Sequence, residues 1–323
     1  MKIYSRDDFS YVVSSISGFT DQVGGELLAK ALVDATTPKY VNVRTGIKGT
    51  QALNLLNSQP YFQDGTCGWS ASGTTTYTQR NIATCAYKFN EALCYKDLFD
   101  TYQSMLMRPG QTDETVPFEQ QIAGLKVKQI QQFIEQKLWQ ATVSGGDCFD
   151  GFKSLISTGT TGVANSGGVA FSSSAAYGVS GNPITEVDKL INALDDNASS
   201  REDLVCFMSF ANYRLYIQAL TRANFFANYI DGSKAIGNLN LEAVHPNANV
   251  KVIPTIGLAS SNQVVIGPSE YMVVGFDLLS DHEKLDMWWS RDNDELRIRA
   301  NFNAGAQIAL FGSTAYFATN NLS

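Results

Sequence analysis

Two runs near the end of the chain alternate apolar and polar residues on either side of a polar turn, Arg291 to Asp294. In Leu285-Asp-Met-Trp-Trp-Ser290, positions 285, 287 and 289 are apolar. In Glu295-Leu-Arg-Ile-Arg-Ala-Asn-Phe302, Leu296, Ile298, Ala300 and Phe302 share one face, and Arg297, Arg299 and Asn301 share the other. A one-residue slip would turn one apolar set into water, so the faces select a single register. Pairing Ser290 with Glu295 keeps them matched. It sets Met287 against Ile298, Asp286 against Arg299 and Trp288 against Arg297, with an ion pair and a cation–π contact expected on the outer face. By itself this pattern describes an antiparallel hairpin in any α+β protein.

A second long element lies at 117–142. Pro117 suits a first helical turn, and Glu119 favours the positive end of the dipole. Phe118, Ile122, Leu125, Ile130, Phe133, Ile134 and Leu138 make an apolar stripe opposite a Gln- and Lys-rich face, and Gly145-Gly146 stops the helix. At 1.5 Å per residue such a helix runs about 39 Å. Before it, Tyr40-Val-Asn-Val43 reads as a short strand. Glycines 46, 49, 65, 68 and 73 punctuate the next segment, and Thr74 to Phe89 is rich in Thr and Tyr, which suits a half-exposed ribbon. A ribbon with so little core is poorly stable alone.

Residues 1–40 are polar. Leu27, Leu28, Leu32 and Val33 mark a short helical patch that ends at Thr37-Pro38. Residues 154–185 carry no charge and are crowded with Gly, Ser, Thr and Ala, yet Val163, Val169, Phe171, Tyr177 and Val179 make them too apolar for a fully solvated linker, so irregular β structure or a loop region joining two subdomains is expected. Beyond them the elements alternate. A helix is predicted through Ile184, Val187, Leu190, Ile191 and Leu194, a buried strand at Leu204–Met208, and a helix from Asn212 to Phe225. Strands are predicted next at Val250–Ile253 and Gln263–Ile266.

The order of several short strings along the chain carries a resemblance that no one string carries alone. The long charged-tip hairpin, its Arg-Ile-Arg-Ala strand and the small-residue segment after it resemble the end of a tailed-phage major capsid protein of the Hong Kong ninety-seven phage capsid fold. That fold is shared with herpesvirus capsid floors and encapsulins. Gly73-Thr-Thr-Thr-Tyr-Thr-Gln-Arg80, Asn90-Glu-Ala-Leu-Cys94, Pro117-Phe-Glu-Gln120, Asp147-Cys-Phe-Asp-Gly151 and Val274-Gly-Phe-Asp-Leu-Leu279 resemble capsid proteins of phages infecting Bacteroidetes, over roughly residues 40–155 and 183–317.

The resemblance implies an α+β fold with an N-terminal arm (1–43), an extended β-hairpin loop (44–90), a peripheral domain with a long spine helix and long β-hairpin (91–182 and 276–303), and an α/β axial domain (183–275 and 304–323). It implies a major capsid protein that self-assembles into hexamers and pentamers of an icosahedral head around double-stranded DNA, in a virion assembled in the host cytoplasm. Portal, scaffold and decoration proteins are the further partners it implies. Arg291, Asp292, Asp294, Glu295, Arg44, Lys48 and Arg80 are the candidate contacts between subunits. Some members of the fold join a Lys to an Asn with help from a Glu. Lys48 sits in the ribbon, but no Asn or Glu matches by motif, and crosslinking is not carried over.

Composition fits a shell that encloses DNA without gripping it. The 323 residues are 44% hydrophobic and 17% charged with a net charge of −7, and no basic cluster offers phosphates a face. No apolar run is long enough to span a membrane, and no signal peptide is visible. The odd count of cysteines (67, 85, 94, 148 and 206) and the absence of Cys-x-x-Cys lead to an expectation of five reduced thiols and no zinc. No nucleophile elbow, phosphate loop or dinucleotide fingerprint occurs, His245 and His282 are expected in turns, and no catalytic residue or cofactor is expected. Two alternatives stay open: an encapsulin-like shell around a cargo enzyme, separable by neighbouring terminase and portal genes, and a hydrolytic enzyme, separable by assay.

Overall fold

The computed structural model describes residues 35–59, 64–65, 67–68, 74–94, 118–158, 163–165, 167, 169–172, 174–223, 243–246, 248, 250–277, 285–293, 295–310 and 315–320. The helical patch at 27–33, Pro117, His282 and Asp294 lie outside them.

The predicted hairpin is the spine of the first sheet. β11 (Leu285–Ser290) pairs antiparallel with β12 (Glu295–Ile308) in the register read from the sequence: Ser290 with Glu295, Trp288 with Arg297, Met287 with Ile298 and Asp286 with Arg299. Leu296, Ile298, Ala300 and Phe302 are all buried. β12 is long enough to organise three neighbours. One edge takes β11 and then β10 (Met272–Phe276), which in turn takes β1 (Asn42–Thr45) in parallel. The other edge takes β4 (Cys85–Cys94), from Glu295 opposite Cys94 to Ala304 opposite Cys85.

Helix α1 (Phe118–Gln140) covers the inner face of this sheet. Ile130, Ile134 and Leu138 are buried as the stripe predicts, but Leu125 is 61% exposed and Phe133 40% exposed. The reason is a five-residue step between Leu125 and Ile130. At about 100° per residue, Leu125 falls about 220° and Phe133 about 300° round from Ile130, whereas Ile134, Leu138, Glu135 and Trp139 fall within about 180°. Trp139, fully buried against Phe152 and Phe207 at 5.5 and 5.1 Å between rings, takes the core position the stripe omitted.

The uncharged segment is more regular than expected. It contributes α2 (Phe152–Thr158) and β5 (Val163–Asn165) before its turns. α3 (Pro183–Asn192) starts where Asn182 caps it, its side chain accepting from the N–H groups of Ile184 and Thr185. The short α4 (Asp196–Ser199) leads to β6 (Leu204–Ser209) and α5 (Phe210–Arg222). The second sheet runs β5, β13 (Phe317–Thr319), β9 (Val265–Pro268), β6, β8 (Lys251–Thr255), β7 (Ala243–Val244). β6 is buried on both faces, which explains its unbroken apolar run. Val205 and Phe207 join the core beneath α1, while Leu204, Cys206 and Met208 join a second core under α3 and α5.

One expectation about chemistry is overturned. Cys85 and Cys148 are joined as a disulfide, with Cα atoms 6.0 Å apart, while Cys67, Cys94 and Cys206 are free. The two sites are distant in sequence and meet only because β4 and the turn after α1 fold onto each other, which no spacing rule registers.

Candidate assembly surfaces

The ribbon is built from β2 (Thr50–Gln59) and β3 (Thr74–Ala83), paired antiparallel from Thr50 opposite Ala83 to Gln59 opposite Thr74. Ten residues at about 3.4 Å each give a reach of about 34 Å. Among its described side chains only Leu53 and Ile82 are buried, both at the root, against Ile47 and Val273. Farther out, Tyr77 is 65% exposed.

The root is firmly tied. Thr84 Oγ1 donates to Ile47 O or Gly49 O at 3.2 and 3.0 Å, and Gln307 Nε2 donates to Asn81 O at 2.8 Å. Gly305 has no side chain because the carbonyl of Ala83 occupies the place a Cβ would take. Arg80 belongs to this root. Half-buried, it donates to Ile308 O at 3.2 Å, and burial pulls its guanidinium below the usual value. Arg44 at the end of β1 and Lys48 just before β2 are exposed.

At the opposite end of the first sheet, Arg291, Asp292 and Asn293 form the exposed hairpin turn. Glu295 is engaged within the turn: it accepts from Arg297 Nε at 2.8 Å and Asn293 Nδ2 at 3.2 Å, and Arg297 holds its carboxyl below the usual carboxylate range. The two outer-face contacts expected from the register do not form among the described residues. Arg297 turns to Glu295, two residues back on its own face, rather than to Trp288, and Asp286 makes no ion pair with Arg299. Exposed pairs are weak enough for a nearer carboxylate to decide the geometry.

The outer face of α1 completes the set. Leu125 is exposed on it, and Phe133 stands at its margin, 40% exposed but edge-on to Tyr87 and Phe302 of the sheet with ring centroids 5.5 and 6.4 Å apart. Lys126 fastens the helix to β4 through an ion pair with Glu91 and lies 5.7 Å over the Phe89 ring.

Two further polar groups lie elsewhere in the described fold. His245 stands in a turn as expected but is 1% exposed, with Nε2 3.7 Å from Asp188 and its ring 6.1 Å from Tyr216. Asp147, beside Cys148, pairs with Lys137 at 2.5 Å. Among the described residues no three His, Cys, Asp or Glu side chains gather to hold a metal.

This arrangement is the tailed-phage capsid fold. The chain superposes on the capsid of an empty GTA particle computed with C5 symmetry with a TM-score of 0.56, at 10% identity over 88% of each chain. It superposes on Gordonia phage Cozz with a TM-score of 0.54, at 10% identity over 88% of this chain and 84% of that one. A third likeness is to the satellite phage P4 procapsid including size determination (Sid) protein, with a TM-score of 0.52, 11% identity and coverage of 91% and 98%. No family model and no curated protein sequence matches the chain. At such identities the likenesses speak for the fold alone.

Proposed function

We propose that the chain is a major capsid protein whose copies assemble, as hexamers and pentamers, into an icosahedral head enclosing double-stranded DNA. The observation that carries this reading is the ribbon: two ten-residue strands whose described side chains are buried only at the root. A two-stranded ribbon is marginal in water, and a second copy of the chain supplies the missing surface. The fold supports the same reading, and the short strings between Gly73 and Leu279 support a relation to capsid proteins of phages infecting Bacteroidetes.

In this reading 1–43 is the arm, 44–90 the extended loop, 91–182 with 276–303 the peripheral domain, and 183–275 with 304–323 the axial domain. Arg291, Asp292, Asp294 and Glu295 meet other capsomers, and Arg44, Lys48 and Arg80 serve contacts at the ribbon's base. Portal, scaffold and decoration proteins join the self-contacts. The net charge of −7 suits an enclosure that does not bind DNA by sequence. Each contact is modest and repeats at every copy, so their sum closes the shell.

Hydrogen exchange tests the reading. Amides of 50–59 and 74–81 are expected to exchange fast in unassembled subunits and to gain protection in shells. Equal protection in both states would remove the case for the ribbon as an assembly element.

A further inference from the structure

The disulfide joins two places that the rest of the fold already holds together. Cys85 opens β4 directly after Thr84, whose N–H donates to Gly49 O at 2.8 Å at the ribbon's root. Cys148 lies in the turn after α1. That turn is fixed by the Lys137–Asp147 ion pair, by Thr142 N–H donating to Asp147 Oδ2 at 3.2 Å, by Val143 N–H donating to Asp150 Oδ1 at 2.9 Å, and by Gly151 N–H donating to Ala141 O at 2.8 Å. None of these needs the sulfur bond, and across the gap Tyr87 of β4 meets Phe149, the neighbour of Cys148, with ring centroids 6.3 Å apart in the core that α1 shares with the first sheet. The Cα separation of 6.0 Å lies in the range that a disulfide spans without backbone movement. The two thiols therefore meet in the folded subunit whether or not they are bonded. They also differ in access: Cys148 is exposed, whereas Cys85 is 7% exposed.

We propose that Cys85 and Cys148 form an environment-conditional staple. The pair stays a dithiol while the subunit folds and assembles in a reducing compartment, and closes to a disulfide when the finished shell meets oxidising surroundings. This rests on the capsid reading above. The oxidant is a small-molecule disulfide, RSSR. The exposed Cys148 thiolate attacks one sulfur of RSSR, forming the mixed disulfide and releasing one thiolate, RS⁻. The Cys85 thiolate then attacks Cys148 Sγ, displacing the second RS⁻. Two protein thiols are oxidised, one RSSR is reduced to two thiols, and the two protons lost by the cysteines end on them. The closed bond fastens the ribbon's root to the far end of α1 across a sequence separation of 63, so it constrains a long loop of the unfolded chain and opposes unfolding of the subunit within the shell.

The experiment uses the full chain, purified with reducing agent and then exposed, before and after shell formation, to oxidised glutathione. Free thiols are counted by alkylation under denaturing conditions and intact mass. The expected result is five alkylated cysteines in the reduced protein and three after oxidation, with Cys85–Cys148 as the linked peptide. Melting of oxidised shells is expected to rise by several degrees over reduced ones, and the Cys148→Ser protein to assemble but show no such shift. Five alkylated cysteines after glutathione, or a Cys148→Ser protein with the same shift, would overturn the staple. Shells that form normally yet never link the pair would leave the capsid reading standing. A pair that links in a chain that never forms shells would overturn that reading instead.

Discussion

Glu135 and Thr37, 98 positions apart, are joined inside the core: both carboxylate oxygens of Glu135 accept from the Thr37 N–H at 3.1 Å. The Thr37 and Thr255 hydroxyls donate to the same carboxylate. Each hydroxyl is itself used as an acceptor, Thr37 Oγ1 by Trp139 Nε1 at 2.7 Å and Thr255 Oγ1 by Gly257 N–H at 3.0 Å. One buried carboxylate thus ties the segment leading into β1 to α1 and to the end of β8, in a network whose members are satisfied.

Truncating this carboxylate strands several buried donors at once. Glu135→Ala is expected to cost about 3 kcal/mol, and Thr37→Val about 1–2 kcal/mol, in urea unfolding of unassembled protein. Losses below about 0.5 kcal/mol for both would mean the network does not hold the segment.

The same group gives a pH signature. Burial raises the Glu135 carboxyl above its ordinary 4.5, despite the hydrogen bonds that pull it down. The folded state then holds the proton more tightly than the unfolded chain. This group's contribution is fully present below 4.5 and is lost as pH rises through the folded value. Glu135→Gln removes that dependence, so the difference in urea midpoint between wild type and variant is expected to change across this window and to be flat above it.

His245 works in the opposite sense. Burial lowers its imidazole below the ordinary 6.5, against the pull of the Asp188 carboxylate and a hydrogen bond to the Ile184 backbone. Tyr216 is the third group against the ring. The neutral form is favoured, so its contribution is fully present above 6.5 and is lost as pH falls through the folded value. Thermal melts between pH 7.5 and 5 are expected to show a steeper decline for wild type than for His245→Gln. Parallel curves would show that His245 does not couple to folding.

The two faces of α1 make different demands. Ile134→Asp buries an unpaired charge and is expected to cost about 4 kcal/mol or more, giving insoluble protein. Leu125→Asp on the exposed face is expected to change subunit stability by no more than about 0.5 kcal/mol and to act on assembly instead. Severe unfolding by Leu125→Asp would contradict the exposure of that face.

How much was legible in the sequence differed by element. The hairpin register could be read because alternation with period two leaves a single pairing that buries Met287 and Ile298 together. The span of α1 could be read, but the stripe drawn for it included Leu125 and Phe133, which the 100° spacing from Ile130 already puts outside the arc that is buried. One ribbon strand, β3, was visible in its Thr and Tyr content, but β2 carries a single Thr and no Tyr, and the same Thr- and Tyr-rich run continues into β4 of the first sheet. The Cys85–Cys148 bond, the Glu135 network and the burial of His245 were not visible, because each depends on segments far apart in sequence that only the tertiary fold brings together. Among the tip residues, Glu295 was grouped with inter-subunit contacts from its position alone, while its partner Arg297 became evident only with the side chains placed.

Charge reversal at the tip probes one assembly surface. Arg291 and Asp292 stand exposed on the same turn, so symmetry-related copies are able to pair opposite signs. Arg291→Glu is expected to leave the subunit folded, with unfolding within about 0.5 kcal/mol of wild type, and to weaken or misdirect assembly, more so at low salt where repulsion is unscreened. Normal yield and salt tolerance of Arg291→Glu shells would remove the tip from the contacts.

Electron microscopy of the purified full-length protein, negatively stained and then vitrified, asks directly whether copies of this chain close into a shell. The expected image is a population of closed particles of uniform diameter whose reconstruction shows five-fold vertices, with the 50–59 and 74–83 ribbon of one copy lying on its neighbour. Protein that stays monomeric across a range of concentration, salt and pH, with the ribbon as exposed as it is in the single chain, would contradict the capsid assignment.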